Sequence, residues 1–201
     1  MLDDCNTKKR RNQYIAGFIP SKFKYKSGTL RISSIIKFCN CGSWIDFFAD
    51  REVQKLKIYR ANFCENRFCP MCAWRTAKKD ALKIAVMMNY IEDEHDKAFI
   101  FVTLTAPNVK GENLKNEITK YNKAFKNLCK RDEIAKINKG YIRKLEVTYN
   151  QERDDYHPHF HCIFAVDKSY FTSRNYIKQA RWLELWQDVM KDNSITQVDV
   201  R

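Results

Sequence analysis

A change of hydrophobic period after residue 97 constrains the fold more than any other feature of this chain. Ala98-Phe-Ile-Phe-Val-Thr-Leu-Thr105 is a β-prone run closed by Pro107, the pattern of a buried strand. Leu114, Ile118, Tyr121, Phe125 and Leu128 then recur every three or four residues and mark one face of an amphipathic helix. Its other faces carry Lys115, Lys120, Lys123 and Lys126. Gly140 interrupts. Residues 141–149 read as a strand, 151–155 as a polar turn and 159–166 as a second strand, antiparallel to the first. Residues 175–190 read as a helix with Ala180, Leu183, Trp186 and Met190 on one face, and residues 196–200 open a further strand. The order β-α-β-β-α-β is the split βαβ arrangement, an antiparallel sheet with helices on one side. The expected class is α+β: this core over residues 96–201, preceded by a small N-terminal zinc-binding module.

The N-terminal half has a different composition. Residues 1–30 are basic with interspersed aromatics (Tyr14, Phe18, Phe23, Tyr25) and read as an arm. Residues 31–95 read as a cysteine-rich module followed by a helix. Short apolar runs alternate with cysteines up to residue 72, as in a small β-rich knuckle. From Pro70 to about Glu94, Trp74, Ala77, Ala81, Ile84, Met88 and Ile91 recur at helical spacing, and Pro70 suits a first turn. Of eight cysteines, five lie between positions 39 and 72. In a reducing compartment such clustering favours metal over disulfides. Cys64, Cys69 and Cys72 offer three thiolates in nine residues, and tetrahedral zinc needs a fourth. Cys41, beside the turn residue Gly42, is the expected fourth ligand, with Cys39 as its competitor. The module is too short to bury much core, so zinc serves as its staple. An all-cysteine set leaves no open position for catalysis, and the His-x-Glu of a zinc deaminase is absent.

Three of the four histidines fall in Tyr156-His157-Pro-His159-Phe-His161. Alternate residues of a strand share a face, so His159 and His161 point together while Phe160 turns to the core. His157 has the same parity but precedes Pro158 at the strand's entry. Glu146, on the preceding strand, lies beside the histidines across the hairpin. Two histidines with this carboxylate, or all three histidines, would leave coordination positions open for Mn²⁺ or Mg²⁺ bound to phosphate.

The net charge of +13, from 37 Lys and Arg against 24 Asp and Glu, calls for a polyanionic partner. Arg75, Lys78 and Lys79, and likewise Lys123, Lys126 and Lys130, lie off the apolar stripes of their helices and are the expected phosphate contacts. No run of about 18 apolar residues exists, and the basic cluster Lys8–Arg11 has no apolar stretch behind it. The chain is therefore expected in the cytoplasm, with no membrane partner.

Three stretches resemble one known family, the rolling-circle replication initiators of small Gram-positive plasmids, within the HUH endonuclease superfamily. Phe101-Val-Thr-Leu-Thr-Ala-Pro-Asn108 is similar to the family's first motif. His157-Pro-His-Phe-His161 is similar to its metal motif. The segment from Asn62 to Arg75 is similar to its cysteine segment, and Tyr176-Ile-Lys-Gln-Ala-Arg-Trp-Leu-Glu-Leu-Trp186 also looks familiar. The likeness covers about residues 38–201. It implies a ferredoxin- or RRM-like nuclease core that nicks and rejoins single-stranded or cruciform plasmid origin DNA. A metal at the histidines polarises the scissile phosphate, and a tyrosine attack leaves a 5′-phosphotyrosine and a free 3′-hydroxyl that primes replication. A host replication helicase is an expected further partner. In the family the attacking tyrosine follows the final strand in a Tyr-x-x-Lys setting, so it is expected beyond Arg201. Tyr176 is the lesser candidate, and Tyr141, in Tyr141-Ile-Arg-Lys144, less again. Two other readings compete: a non-catalytic zinc-containing module that binds single-stranded DNA, and a relaxase or transposase using the same chemistry.

Overall fold

A computed structural model describes residues 2–22, 32–53 and 55–201, with the backbone alone for residues 18–22 and 32–33. The chain divides into two compact units, Met1–Met87 and Met88–Arg201.

The first unit begins with α1 (Leu2–Lys22) and α2 (Ile32–Cys39), followed by an antiparallel hairpin of β1 (Ile45–Ala49) and β2 (Leu56–Ala61). The basic stretch expected as an arm is thus helical over most of its length. Among its described side chains the buried ones are Cys5, Asn12 and Ala16. They are small or polar, which is why no apolar stripe announces the helix. Phe18, with no side-chain description, and Phe23 and Tyr25 lie outside what is described. The knuckle is only partly β: residues 32–39 form a helix because Ile32, Ile35 and Phe38 follow helical rather than alternate spacing. Among the described residues, the unit's buried core consists of Ala16, Phe38, Cys41, Cys69, Met71 and Cys72. Gly42 belongs to its turn for two reasons. Its φ is +67°, and a Cβ there would lie 2.9 Å from Cε of Met71.

Helix α3 (Pro70–His95) starts at the proline, as expected. Met71 and Cys72 in its first turn are its buried residues, whereas Ala77 and Ala81 of the anticipated stripe are exposed.

The second unit contains β3 (Lys97–Thr105), α4 (Gly111–Leu128), α5 (Asp132–Ile137), β4 (Gly140–Asn150), β5 (Asp155–Asp167), a 3₁₀ turn (Lys168–Thr172), α6 (Gln179–Met190) and β6 (Val198–Val200). The four strands form one sheet in the order β4-β5-β3-β6, every pair antiparallel. The protein is therefore a mixed α+β fold with antiparallel sheets. Period-2 alternation decides what each face does. On β3, Ile100, Val102 and Leu104 are buried; on β5, Phe160, Cys162, Phe164 and Val166 are. These side chains meet α4 and α6 through Tyr121, Phe125, Trp182 and Trp186. The intervening residues, including Thr103, His159 and His161, face the other side. α6 starts four residues later than the spacing suggests, because Ser173–Lys178 follow the 3₁₀ turn as an irregular connection. Among the described residues no helix is long and apolar enough to cross a membrane.

Candidate metal centres

The cysteine group is assembled by chain segments that the first unit brings together. Cys41 ends the turn after α2, Cys64 follows β2, and Cys69 and Cys72 flank the start of α3. All four sulfurs lie within 4.8 Å of one another. Cys41 Sγ is 3.5 Å and Cys64 Sγ 3.7 Å from Cys72 Sγ. A tetrahedron of sulfurs at about 2.3 Å from zinc has edges of about 3.8 Å, so the spacing fits a tetrathiolate site. Burial pushes the Cys64 thiol up to about 11 and the Cys41 thiol higher still. Without a cation these groups stay protonated, and a bound dication would release their protons. Cys39 lies outside the group. Helix α1 buttresses the site: Lys9 Nζ donates to the Cys41 carbonyl at 2.7 Å, and Cys69 Sγ lies 3.1 Å from the buried Asn12 Oδ1. Sequence reasoning missed both, because a basic helix reads as a solvated one.

The second group lies on the open face of the sheet. Glu146 on β4 is in direct register with His159 on β5, and Thr103 on β3 with His161. Glu146 Oε2 is 3.2 Å from His161 Nε2 and 3.9 Å from His159 Nε2. These three residues form a group whose ligand atoms lie within 4.8 Å of one another. The opposite nitrogens are held from behind. His159 Nδ1 lies 3.2 Å from the His157 carbonyl, which only accepts, so Nδ1 carries the proton and Nε2 presents its lone pair. His161 Nδ1 lies 3.3 Å from Thr103 Oγ1. A ring held through one nitrogen and offered through the other is the arrangement metal-binding histidines use. Two imidazoles and one carboxylate leave coordination positions for a substrate oxygen. His157 is not part of this group, although its ring centroid is 5.2 Å from that of His159. Burial first, and then His159, hold its imidazole below the usual histidine range.

The other expected residues are dispersed. Tyr176 is exposed in the connection before α6, not in the helix, and its ring packs on Tyr170. It follows the far end of β5, six residues of extended chain or about 20 Å beyond His161. Tyr141 packs on Phe125 and Phe164, on the helix-covered face. Neither tyrosine is brought to the histidines. Lys123 and Lys126 are exposed on α4, which covers the face opposite the Glu/His group. On α3, Lys79 is exposed, Arg75 lies 4.4 Å over the Phe63 ring, and Lys78 lies over Trp74 and pairs with Asp4.

Comparison with known proteins is consistent with this geometry. Residues 55–201 match the family described as replication protein. A curated protein of Staphylococcus aureus named "Protein rep" is 50% identical over 201 residues, all of this chain and 85% of that protein. Proteins of the same name from Bacillus sp and Bacillus amyloliquefaciens are 42% and 37% identical, over 82% and 98% of this chain. The chain covers only 53% and 58% of those two, so it spans little more than half the length of several curated relatives it matches. No solved structure matches it. The chain belongs to the replication-protein family, that of the plasmid replication initiators its motifs resemble.

Proposed function

We propose that this chain carries the ferredoxin-like HUH nuclease core of a rolling-circle initiator, which nicks and rejoins single-stranded plasmid origin DNA in the cytoplasm. One observation supports this above all: Glu146, His159 and His161 converge on the open, rigid face of a four-stranded antiparallel sheet. Mn²⁺ or Mg²⁺ held by these side chains would supply a Lewis acid to a non-bridging oxygen of the scissile phosphate. The residues themselves fix where that phosphate sits. Phe101 stacks on the His161 ring at 5.6 Å and keeps the imidazole from rotating. Lys144, in register with His161 on β4, adds positive charge on the same face. In the cutting step a tyrosine oxygen bonds to phosphorus as the P–O3′ bond breaks. The tyrosine loses its proton, the departing 3′-oxygen gains one, and the phosphate remains on the tyrosine for later rejoining. The Cys41, Cys64, Cys69 and Cys72 group holds a structural zinc. Lys79, Lys123 and Lys126, with Arg75 and Lys78, follow the DNA backbone, and a host helicase acts on the opened origin.

The test is calorimetric titration of Mn²⁺ into zinc-loaded protein, beside a His159→Ala/His161→Ala variant. One Mn²⁺ site, lost in the variant while zinc stays bound, is expected. Absence of Mn²⁺ binding by the zinc-loaded wild type would overturn the reading.

A further inference from the structure

The first motif ends at Asn108, a residue the proposed chemistry does not use. It stands in the loop between β3 and α4, and this loop is clamped onto the start of β5. Val109 and Tyr156 exchange backbone hydrogen bonds of 2.9 and 2.8 Å. Lys110 Nζ donates to the Arg153 carbonyl at 2.7 Å. A Cβ on Gly111 would come within 3.2 Å of the Tyr156 ring. The clamp holds the Asn108 amide between two side chains of β5. Its Nδ2 donates to Asp155 Oδ1 at 2.8 Å, and its Oδ1 lies 2.8 Å from His157 Nδ1.

The direction of this relay follows from chemistry. An ionised carboxylate only accepts, so the amide must turn its NH₂ to Asp155. Asp155 is largely buried and is paired with the Arg153 guanidinium at 3.2 Å. The amide oxygen is then left for His157, and an amide oxygen also only accepts. His157 Nδ1 must carry the proton, and Nε2 must carry the lone pair. We infer that Asn108 is a positioning residue that, oriented by Asp155, locks His157 as the Nδ1–H tautomer and leaves its Nε2 lone pair to join Glu146, His159 and His161 as a further imidazole when metal binds. The same logic fixes His159 through the His157 carbonyl, so the two adjacent rings carry the proton on the same nitrogen. The consequence for metal binding rests on the Glu/His metal reading above; the tautomer assignment does not.

The test uses the full chain, metal-free at the histidines and labelled with ¹⁵N-histidine, at about pH 8, above the ordinary imidazole range. Long-range ¹H–¹⁵N spectra report the tautomer of each of the four rings, with His157 assigned by its loss in His157→Gln. Wild type is expected as Nδ1–H at His157. Asn108→Ala is expected to shift that ring toward Nε2–H and to weaken Mn²⁺ binding by roughly 10- to 100-fold, the usual loss for a residue that orients a ligand. Asp155→Asn, nearly the same shape, frees the amide to turn and is expected to mix the tautomers; it serves as the second variant should Asn108→Ala misfold. An Nε2–H ring in wild type, or no change in either variant, would overturn the assignment. Wild type that shows Nδ1–H but binds no Mn²⁺ would overturn the metal reading and leave the relay standing. Unchanged Mn²⁺ affinity in variants whose tautomer has shifted would remove His157 from the metal centre.

Discussion

Chelating the zinc proposed for the cysteine group should unfold the first unit and leave the second intact. Among the described residues, the first unit's buried core holds two large apolar side chains outside the cysteines, Phe38 and Met71. Burying each contributes roughly 1.5–3 kcal/mol, so together they supply about 3–6 kcal/mol. A structural zinc in a small cysteine site contributes about 10–16 kcal/mol near neutral pH. The metal term is therefore the larger by roughly two- to fivefold, and three of these cysteines make up half of the described core. The second unit has its own cluster built on Trp182, Trp186, Phe125 and Phe160 and no cysteine in the metal group. Hydrogen exchange read by mass spectrometry separates the two. After chelation, peptides covering 2–17, 36–49 and 56–64 should lose protection, while those covering β3, β5 and α6 should not change. Loss in 2–17 is part of the prediction, because Lys9 and Asn12 of α1 hold on to Cys41, Phe38 and Cys69. Retained protection across β1 and β2 after complete zinc removal, verified by metal analysis, would refute the reasoning.

Four further outcomes are expected. Glu146→Gln keeps the shape but removes the charge near both Nε2 atoms, and should weaken Mn²⁺ binding about tenfold by calorimetry; unchanged affinity would exclude the carboxylate as a ligand. Tyr121→Phe should raise stability by about 1 kcal/mol in denaturant titrations, because its buried hydroxyl has no hydrogen-bond partner among the described residues; a loss of that size would contradict this. Trp186→Phe should cost roughly 1–3 kcal/mol, since it removes the 2.7 Å bond to the Thr105 carbonyl at the end of β3; a neutral result would show that water replaces it. Lys97 and Lys139 hold the Asp167 carboxyl below its ordinary range. Its contribution is therefore present above the unfolded pKa near 3.8 and fades as pH falls through the lower folded value. The melting temperatures of wild type and Asp167→Asn should differ at pH 7 and converge below that range.

The sheet and its site were largely legible because both follow a period of two. His159 and His161 alternate with Phe160 and Cys162, so one short string of letters specifies a polar face and a buried one. The register that brings Glu146 opposite His159 follows from a hairpin with a short polar turn. What the sequence hid was of another kind. Helix α5 has two acids in its first turn and the pair Ile134 and Ile137, a signal too short to compete with the strand after it. Among its described side chains helix α1 buries an asparagine and a cysteine, and their meaning appears only once Cys69 and Phe38 lie beside it. Asn108 follows a proline and reads as turn chemistry. Its partners are 47 and 49 residues away, a separation no local pattern encodes.

The same alternation ties the site to the core. A one-residue slip of β5 against β3 and β4 would turn Phe160, Phe164 and Val166 out to the open face and bury all three histidines. Phe160 and Phe164 pack on Tyr121, Phe125 and Trp182, so such a slip would expose the most deeply buried part of the second unit. The histidines are thus positioned by side chains that never touch them. Substitutions at Phe160 or Phe164 should lower metal affinity together with stability, whereas Glu146→Gln should lower metal affinity alone. Comparing the two classes separates residues that hold the metal from residues that hold the strand.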